Sequence, residues 1–106
     1  MSIITGVGPD VPVVVNKRGG RQSMTLYRFD LLDPRAMFAL TEVLATGAEK
    51  YGESNWRQID ASDHVNHALQ HLFAWLASDT ADAHLAHAFC RCMMALAVEL
   101  EGCETT

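Results

Sequence analysis

All five histidines of this 106-residue chain fall in two segments that share one spacing. In residues 63–71 and 82–91, polar side chains recur at positions i, i+3 and i+7, namely His64, His67 and His71 in the first segment and His84, His87 and Arg91 in the second. Because a helix advances about 100° per residue, each trio occupies an arc of roughly 60° on one side of its helix. The spacing therefore predicts two helices whose polar stripes can face one another.

The second of these helices is predicted to be buried. Beyond Arg91 it is apolar on nearly every side, through residues 92–98 and Leu100, a pattern that is typical of a helix inside a core. Its N-terminal half carries His84, His87 and Arg91 along the same stripe, and a buried polar group without a partner costs roughly 1–3 kcal/mol. We therefore expect these side chains to find partners or to line a cavity.

The rest of the pattern predicts an all-α fold, a small antiparallel bundle of three main helices. Helix one should span residues 33–52, with an acidic N-cap followed by proline, helix two residues 62–77 and helix three residues 82–101. The short polar connection at residues 78–82 makes helices two and three antiparallel neighbours. Three helices of about 15 residues bury little surface alone, so we expect a homo-oligomer, a dimer or higher, to complete the bundle.

Residues 1–32 are predicted to form a basic, extended or hairpin N-terminal arm ahead of a helical domain at residues 33–106. The net charge is −5 overall but +2 over residues 1–35, and two apolar stretches flank the turn at Gly19-Gly20. The glycines offer backbone N–H groups beside cations, which are the ingredients of an anion-binding loop. The arm can hold a phosphate-bearing ligand or can be a solvated segment, and it lacks the continuous basic face of a duplex-binding protein.

Cysteine usage and hydropathy bound the location of the chain. Three cysteines, Cys90, Cys92 and Cys103, are an odd number without CxxC spacing, which argues against a disulfide framework and a zinc ribbon. No stretch approaches about 20 apolar residues without a charge. These features favour the cytoplasm and disfavour a membrane partner.

Three further side chains are candidates for a site. Glu42 and Glu49 lie seven residues apart on helix one, either as solvated glutamates or as carboxylates directed at a cation or a water nucleophile. Trp56 lies in the loop that follows, where it can be a core residue or a flat surface on which a base stacks.

The histidines support two kinds of phosphate chemistry. His67 and His71 are spaced i, i+4, and His84 and His87 are spaced i, i+3, so the four can hold a divalent metal ion, with Mg, Mn and Zn as candidates. In a metal-free alternative, the imidazoles and Arg91 grip phosphate oxygens, and a histidine near its usual pKa of about 6.5 moves a proton.

Several stretches, in order along residues 19–100, carry a family resemblance. They are Gly19-Gly20-Arg21-Gln22-Ser23, Tyr27 to Pro34, Gly47-Ala48-Glu49-Lys50-Tyr51-Gly52, Asn55-Trp56-Arg57, Asp63 to His71, His84-Leu85-Ala86-His87-Ala88 and Cys90-Arg91. In these the chain resembles the dATP/dGTP diphosphohydrolase N-terminal-domain family of phages and bacteria. The resemblance implies an all-α fold related to MazG-like nucleotide pyrophosphohydrolases, with helices from paired subunits enclosing a site that releases pyrophosphate from a purine deoxynucleoside triphosphate.

One departure from that pattern concerns the metal. MazG-like enzymes bind magnesium through a dense ExxE-type carboxylate set, whereas helix one here has only Glu42 and Glu49 without that spacing. Histidine-rich segments stand where acids are expected, so the hard-cation site of the relatives is not reproduced.

The resulting hypothesis is a nucleotide pyrophosphohydrolase that attacks a purine (deoxy)nucleoside triphosphate at the phosphoanhydride with a metal-activated water. It assigns catalysis to His71, His84 and Glu49 and the metal to His67, His71, His84 and His87. The residues predicted to bind substrate are Arg21, Ser23, Arg28, Trp56, His64 and Arg91. The alternatives are a non-catalytic phage sponge that sequesters a host signalling nucleotide in the same pocket, and a structural helical module whose histidines pair internally.

Overall fold

A computed structural model describes residues 4–104 of the chain, with side chains for residues 4–102. The chain divides after Asp33 into two compact units. The first three and last two residues and the side chains of Cys103 and Glu104 lie outside the described part.

The first unit contains a small β-hairpin. Strands β1 (Val13–Val15) and β2 (Arg21–Ser23) pair antiparallel, with Val14 opposite Gln22. Gly19 adopts a φ of +84° in the connecting turn, a conformation that favours glycine. The arm is therefore a hairpin, one of the two forms expected for it. Its second strand lies at residues 21–23, within the connection that the sequence predicted, and not in the apolar stretch at residues 24–27.

The second unit contains the three predicted helices, α1 (Pro34–Tyr51), α2 (Ala61–Leu76) and α3 (His84–Glu104). Gly52 ends α1 at a φ of +97°, where its N–H donates to the carbonyl of Ala48 at 2.9 Å. Helix α2 begins one residue before Ser62, because the carbonyl of Asp60 accepts from the amides of Asp63 and His64 at 3.0 and 3.2 Å. A mostly helical fold with three helices is therefore confirmed.

Helices α2 and α3 form an antiparallel hairpin. Ser78 reverses the chain after α2 with a φ of 64°, and its N–H donates to the carbonyl of Trp75 at 2.9 Å. His71 contacts His84 near this connection, and His64 contacts Arg91 two turns farther along each helix. The two pairings share one antiparallel register, so the two polar stripes face each other as the spacing indicated.

Small side chains allow the helices of the second unit to approach closely. The described core consists of Leu40, Ala68, Ala88, Cys90 and Ala95, together with the fully buried His64. The expectation that α3 is buried on nearly every side does not hold for the single chain, since Leu85, Phe89, Leu96 and Leu100 are 40–56% exposed. One side of α3 packs on α2 and α1, and the other carries apolar side chains that no described element of the second unit covers.

The helices of the described part are too short or too polar for a transmembrane span.

Candidate functional site

A cleft of about 810 Å³ lies between the C-terminal half of α1, the turn that follows it, and the α2–α3 hairpin. Trp56, at the 3-10 turn Asn55–Gln58, lines it from one side. The hairpin contributes His67 and His71 from α2 and His87, Cys90, Arg91 and Met94 from α3. Three of the five histidines and the predicted arginine therefore border one hollow.

A carboxylate and two imidazoles form a chain at the open end of the hairpin. Asp79 Oδ2 lies 2.6 Å from His84 Nε2, and His84 Nδ1 lies 3.0 Å from His71 Nδ1. The side chain of His84 is only 9% exposed, whereas that of Asp79 is half exposed. The chain thus connects solvent at Asp79, through His84, to His71 in the cleft wall.

His87 adds a third ring to this group. It stacks on His71, with ring centroids 4.9 Å apart and planes inclined by 17°, and its Nε2 lies 3.3 Å from Asp82 Oδ1. We call Asp79, Asp82, His71, His84 and His87 the imidazole cluster. Two exposed carboxylates therefore lie beside three adjacent imidazoles, each within ion-pair distance of one ring.

Electrostatics keep His71 neutral. Burial lowers the pKa of His71 most, followed by the charges of His87 and His84. The hydrogen bond from His84 lowers the pKa of Asp79, and the backbone N–H of Ala83 lowers that of Asp82. The cluster therefore pairs ionised carboxylates with a deprotonated His71 near neutral pH.

The hydrogen bonds within the cluster restrict the position of each proton. With His71 neutral, one proton lies between the two Nδ1 atoms. If His84 is neutral, its Nε2–H donates to Asp79 and its Nδ1 accepts from His71, which leaves His71 Nε2 as a free acceptor. If His84 is protonated, it donates to His71 instead. Proton movement through His84 is thus coupled to the tautomer of His71.

A histidine–arginine pair lies deeper in the hairpin. His64 is fully buried, its Nδ1 lies 3.1 Å from Arg91 Nη1, and its Nε2 lies 2.9 Å from the carbonyl oxygen of Trp56. Arg91 is among the described residues that line the cleft, whereas His64 is not. We call His64, Arg91 and Trp56 the buried bracket. The predicted substrate-binding residue His64 thus lies behind the cleft wall.

The ring of Trp56 is itself held in place. The guanidinium carbon of Arg57 lies 4.3 Å from its ring centroid, and Arg57 Nη1 contacts Glu101 Oε1 at 2.5 Å. Trp56 is half-buried and borders the cleft. With Arg57 over one ring face, stacking of a ligand base is restricted to the other.

The predicted phosphate-binding residues of the arm lie in the first unit. Arg21 and Ser23 are exposed on β2, and Arg28 forms a two-point ion pair with Asp30 at 2.7 and 2.8 Å. The amides of Arg18 and Gly20 donate to Asn16 Oδ1 at 2.9 and 2.8 Å. These backbone groups of the glycine turn already have a partner, and the role of the three side chains stays a prediction.

Sequence reasoning missed two charged residues of the cleft wall. Lys50 and Glu53 line the cleft, whereas Glu42 and Glu49 are exposed on α1 and are not among its described lining residues. A signal was present, because Gly52 predicts the end of α1 and therefore a change of direction between Glu49 and Glu53.

The imidazole cluster offers two donors to a metal ion. The two Nδ1 atoms of His71 and His84 are 3.0 Å apart, close to the separation of about 3.3 Å that two nitrogens have around a tetrahedral zinc ion with bonds of ~2.0–2.1 Å. Asp79 on the far nitrogen of His84 is the partner that metal-binding histidines usually have. Within the described residues, no three His, Cys, Asp or Glu side chains are grouped around one metal position. The four-histidine metal site stays a prediction, and the residues present fit two of its ligands.

Comparison with known proteins identifies a family. The model of the family described as dATP/dGTP diphosphohydrolase, N-terminal, matches residues 16–106. No curated protein and no solved structure matches the chain. The matched range includes all three helices and every residue that borders the cleft, and it agrees with the resemblance in the sequence. The chain belongs to the dATP/dGTP diphosphohydrolase N-terminal family.

Proposed function

We propose that the cleft binds a purine (deoxy)nucleoside triphosphate and that the chain hydrolyses it at a phosphoanhydride bond. The observation that supports this most is that Arg91, His71, His87 and Trp56 border a single hollow. Its volume of about 810 Å³ lies within the range of roughly 300–1,000 Å³ typical of small-molecule sites. The family description supports this substrate class.

Cations and aromatic surface in the wall suit the two ends of a nucleotide. The guanidinium of Arg91 and the ammonium of Lys50 bind phosphate oxygens, and the Arg91 fork can engage two of them at once. The open face of Trp56 stacks on the base. The ligand therefore lies along the cleft with its phosphates toward the hairpin.

The imidazole cluster carries the proton chemistry. A water oxygen forms a bond to phosphorus while the bond to the bridging oxygen breaks, which releases pyrophosphate and a nucleoside monophosphate. The proton lost by the water passes to His71 Nε2, and the chain through His84 to Asp79 stabilises the charge that forms. A divalent metal ion held by His71 and His84, with His67 and His87 as the other predicted ligands, would instead take the place of the hydrogen bond between the two imidazoles. His71 Nε2 would then keep its proton, and the metal would replace it in activating the water by polarising the phosphoryl oxygen and acidifying the water.

The experiment is a nucleotide panel with purified protein. Purine deoxynucleoside and nucleoside triphosphates are incubated with Mg, Mn or Zn and with a chelator, and products are separated by chromatography. We expect monophosphate and pyrophosphate in equal amounts, loss of turnover in His71→Ala, and retention in the matched control Glu42→Ala. Recovery of intact bound nucleotide without products would support the sponge instead. Absence of both binding and turnover, with cyclic dinucleotides included, would contradict both.

We also propose that the chain self-associates through the back of the α2–α3 hairpin. His67 and His87, which line the cleft, lie about 180° around their helices from two exposed apolar stripes. The stripes, at spacings of three and four residues, are Val65, Leu69, Leu72, Phe73 and Leu76 on α2 and Leu85, Phe89, Leu96 and Leu100 on α3. Because His67 and His87 border the same cleft, the two apolar stripes lie together on the opposite side of the antiparallel α2–α3 hairpin.

The size of this face suits a second copy of the chain. Its nine side chains are 37–67% exposed, which at roughly 150–200 Å² per whole residue amounts to about 700–900 Å². A standard interface takes about 800 Å² from each partner, and a monomer rarely exposes an apolar patch above ~600 Å². Sedimentation should show a dimer or larger species that Leu96→Glu dissociates and that Gln70→Glu, on the polar side of α2, does not. A monomeric wild-type chain at micromolar concentration would contradict the proposal.

A further inference from the structure

His64 is the fully buried polar side chain of the described core, and both of its ring nitrogens have partners. An arginine side chain only donates hydrogen bonds, so Nδ1 of His64 must accept from Arg91. A carbonyl oxygen only accepts, so Nε2 must donate to Trp56. The two contacts together define one neutral tautomer, with the proton on Nε2.

This arrangement connects two parts of the cleft wall. Arg91 lies on α3 and the Trp56 carbonyl lies in the 3-10 turn that follows α1, while His64 reaches both from the first turn of α2. One imidazole therefore sets the position of the guanidinium relative to the turn that carries the indole ring. An arginine has five N–H donors, so the bond from one Nη1–H leaves other donors for a ligand.

We propose that His64 is a positioning residue: its neutral imidazole holds Arg91 in the cleft wall, at a fixed distance from Trp56, so that phosphates and base are bound in register. The inference rests on the proposed nucleotide site and deepens it, because it replaces direct contact of His64 with the ligand by control of Arg91. A guanidinium that is held before binding loses less conformational freedom when a phosphate arrives.

The first test needs no ligand. In ¹⁵N NMR spectra of the wild-type chain at pH 7, we expect His64 to show a protonated Nε2 and an unprotonated Nδ1, with a correlation from Nδ1 to an Arg91 Nη proton. A proton on Nδ1, or an imidazolium, would overturn the proposal. This result stands apart from the proposed function, since it is obtained whether or not a nucleotide binds.

The second test separates the two contacts of the ring. In His64→Asn the amide oxygen can replace Nδ1 as acceptor for Arg91, whereas in His64→Gln the amide N–H can replace Nε2 as donor to Trp56. We expect His64→Gln to weaken binding of dATP or dGTP about tenfold, as for loss of one hydrogen bond to a charged group, and to leave binding of the matching deoxynucleoside unchanged. His64→Asn should bind the triphosphate to within about threefold of wild type.

A structural role alone gives a different pattern. It predicts that both variants lose triphosphate and deoxynucleoside binding in proportion to their loss of thermal stability, and that result would overturn the proposal. A wild-type chain that shows the expected tautomer but binds neither dATP nor dGTP would count against the proposed function and not against the hydrogen-bond arrangement. If neither variant folds, the wild-type spectrum decides.

Discussion

The imidazole cluster and the buried bracket derive from the same sequence spacing, yet they have opposite environments. In the bracket, His64 is fully buried and its partners are a guanidinium and a backbone carbonyl. In the cluster, His84 and His87 pair with half-exposed carboxylates. A histidine that accepts from arginine is fixed as neutral, whereas one that faces a carboxylate can gain a proton. The first arrangement suits positioning and the second suits proton transfer.

Position along the hairpin accounts for the difference. The cluster lies beside the α2–α3 connection, which supplies Asp79 and Asp82, so solvent and carboxylates are close. The bracket lies two turns farther along, beneath the 3-10 turn that carries Trp56. The environment of each histidine therefore depends on the segment that packs at its end of the hairpin, which is the Trp56 turn for the bracket and the connection with Asp79 and Asp82 for the cluster.

The largest expected effect is on stability, when the bracket is opened. His64→Ala leaves the Trp56 carbonyl and the Arg91 guanidinium without their buried partner, which should cost about 3 kcal/mol and lower Tm by more than roughly 10 °C. His67→Ala, at an exposed position of the same helix, should change the free energy of unfolding by less than about 0.5 kcal/mol. Chemical denaturation of both variants measures this, and equal losses would show that burial does not distinguish the two histidines.

The next effect concerns the charge that the bracket holds. Arg91→Lys keeps a cation but loses the planar fork, and the ammonium cannot reproduce the bond to His64 Nδ1 in the same geometry. We expect triphosphate binding to weaken tenfold or more, about 1.4 kcal/mol, with deoxynucleoside binding retained. Calorimetric titration of both ligands gives the comparison. If Arg91→Lys binds the triphosphate as tightly as the wild type does, the proposal that the Arg91 fork binds the phosphates is wrong.

The sequence predicted much of this fold because local signals agreed with tertiary packing. Helical periodicity, proline at 34 and glycine at 52 located α1, and the polar link at 78–82 predicted the hairpin. The i, i+3, i+7 spacing also predicted that the stripes would meet. These predictions succeeded because periodicity indicates on which face of a helix a side chain lies.

The distinct tasks of the histidines could not be predicted in the same way. His64 and His71 share one stripe, and their environments differ because the Trp56 turn packs over His64 whereas Asp79 and Asp82 lie at the end of the hairpin that holds His71. Turns carry no periodic signal, so the placement of Trp56 and of Glu53 in the cleft depended on tertiary contacts. For the same reason the apolar pattern of α3 predicts a core helix although one of its faces is exposed, since periodicity does not reveal whether an apolar face is covered.

A smaller effect is expected in the cluster. Asp79→Asn replaces the carboxylate that faces His84 with an amide, so the charge that forms on the imidazoles during turnover is less well stabilised. We expect kcat to fall by roughly tenfold with little change in stability, because Asp79 is exposed. Asp82→Asn is the matched control, since its 3.3 Å contact with His87 is longer and should matter less. Steady-state kinetics of both variants measures the difference, and an equal fall in kcat would place the proton pathway elsewhere.

The smallest effect is a pH dependence of stability that belongs to the cluster alone. His71 has a folded-state pKa below its usual value of 6.5, so the unfolded chain binds a proton at a higher pH than the folded chain does. Its contribution to stability is therefore complete above about pH 6.5 and is lost as the pH falls from there toward the folded-state pKa. The lowered pKa values of Asp79 and Asp82 act in a separate window, below about pH 4.

Urea denaturation between pH 8 and 5, with a chelator present, should show stability falling with acidification in the wild type and a flatter profile in His71→Gln. His64 accepts from Arg91 and has no carboxylate partner among its described contacts, so His64→Gln should keep the pH dependence of the wild type. A profile that flattens in His64→Gln and not in His71→Gln would contradict the assignment of this pH dependence to His71.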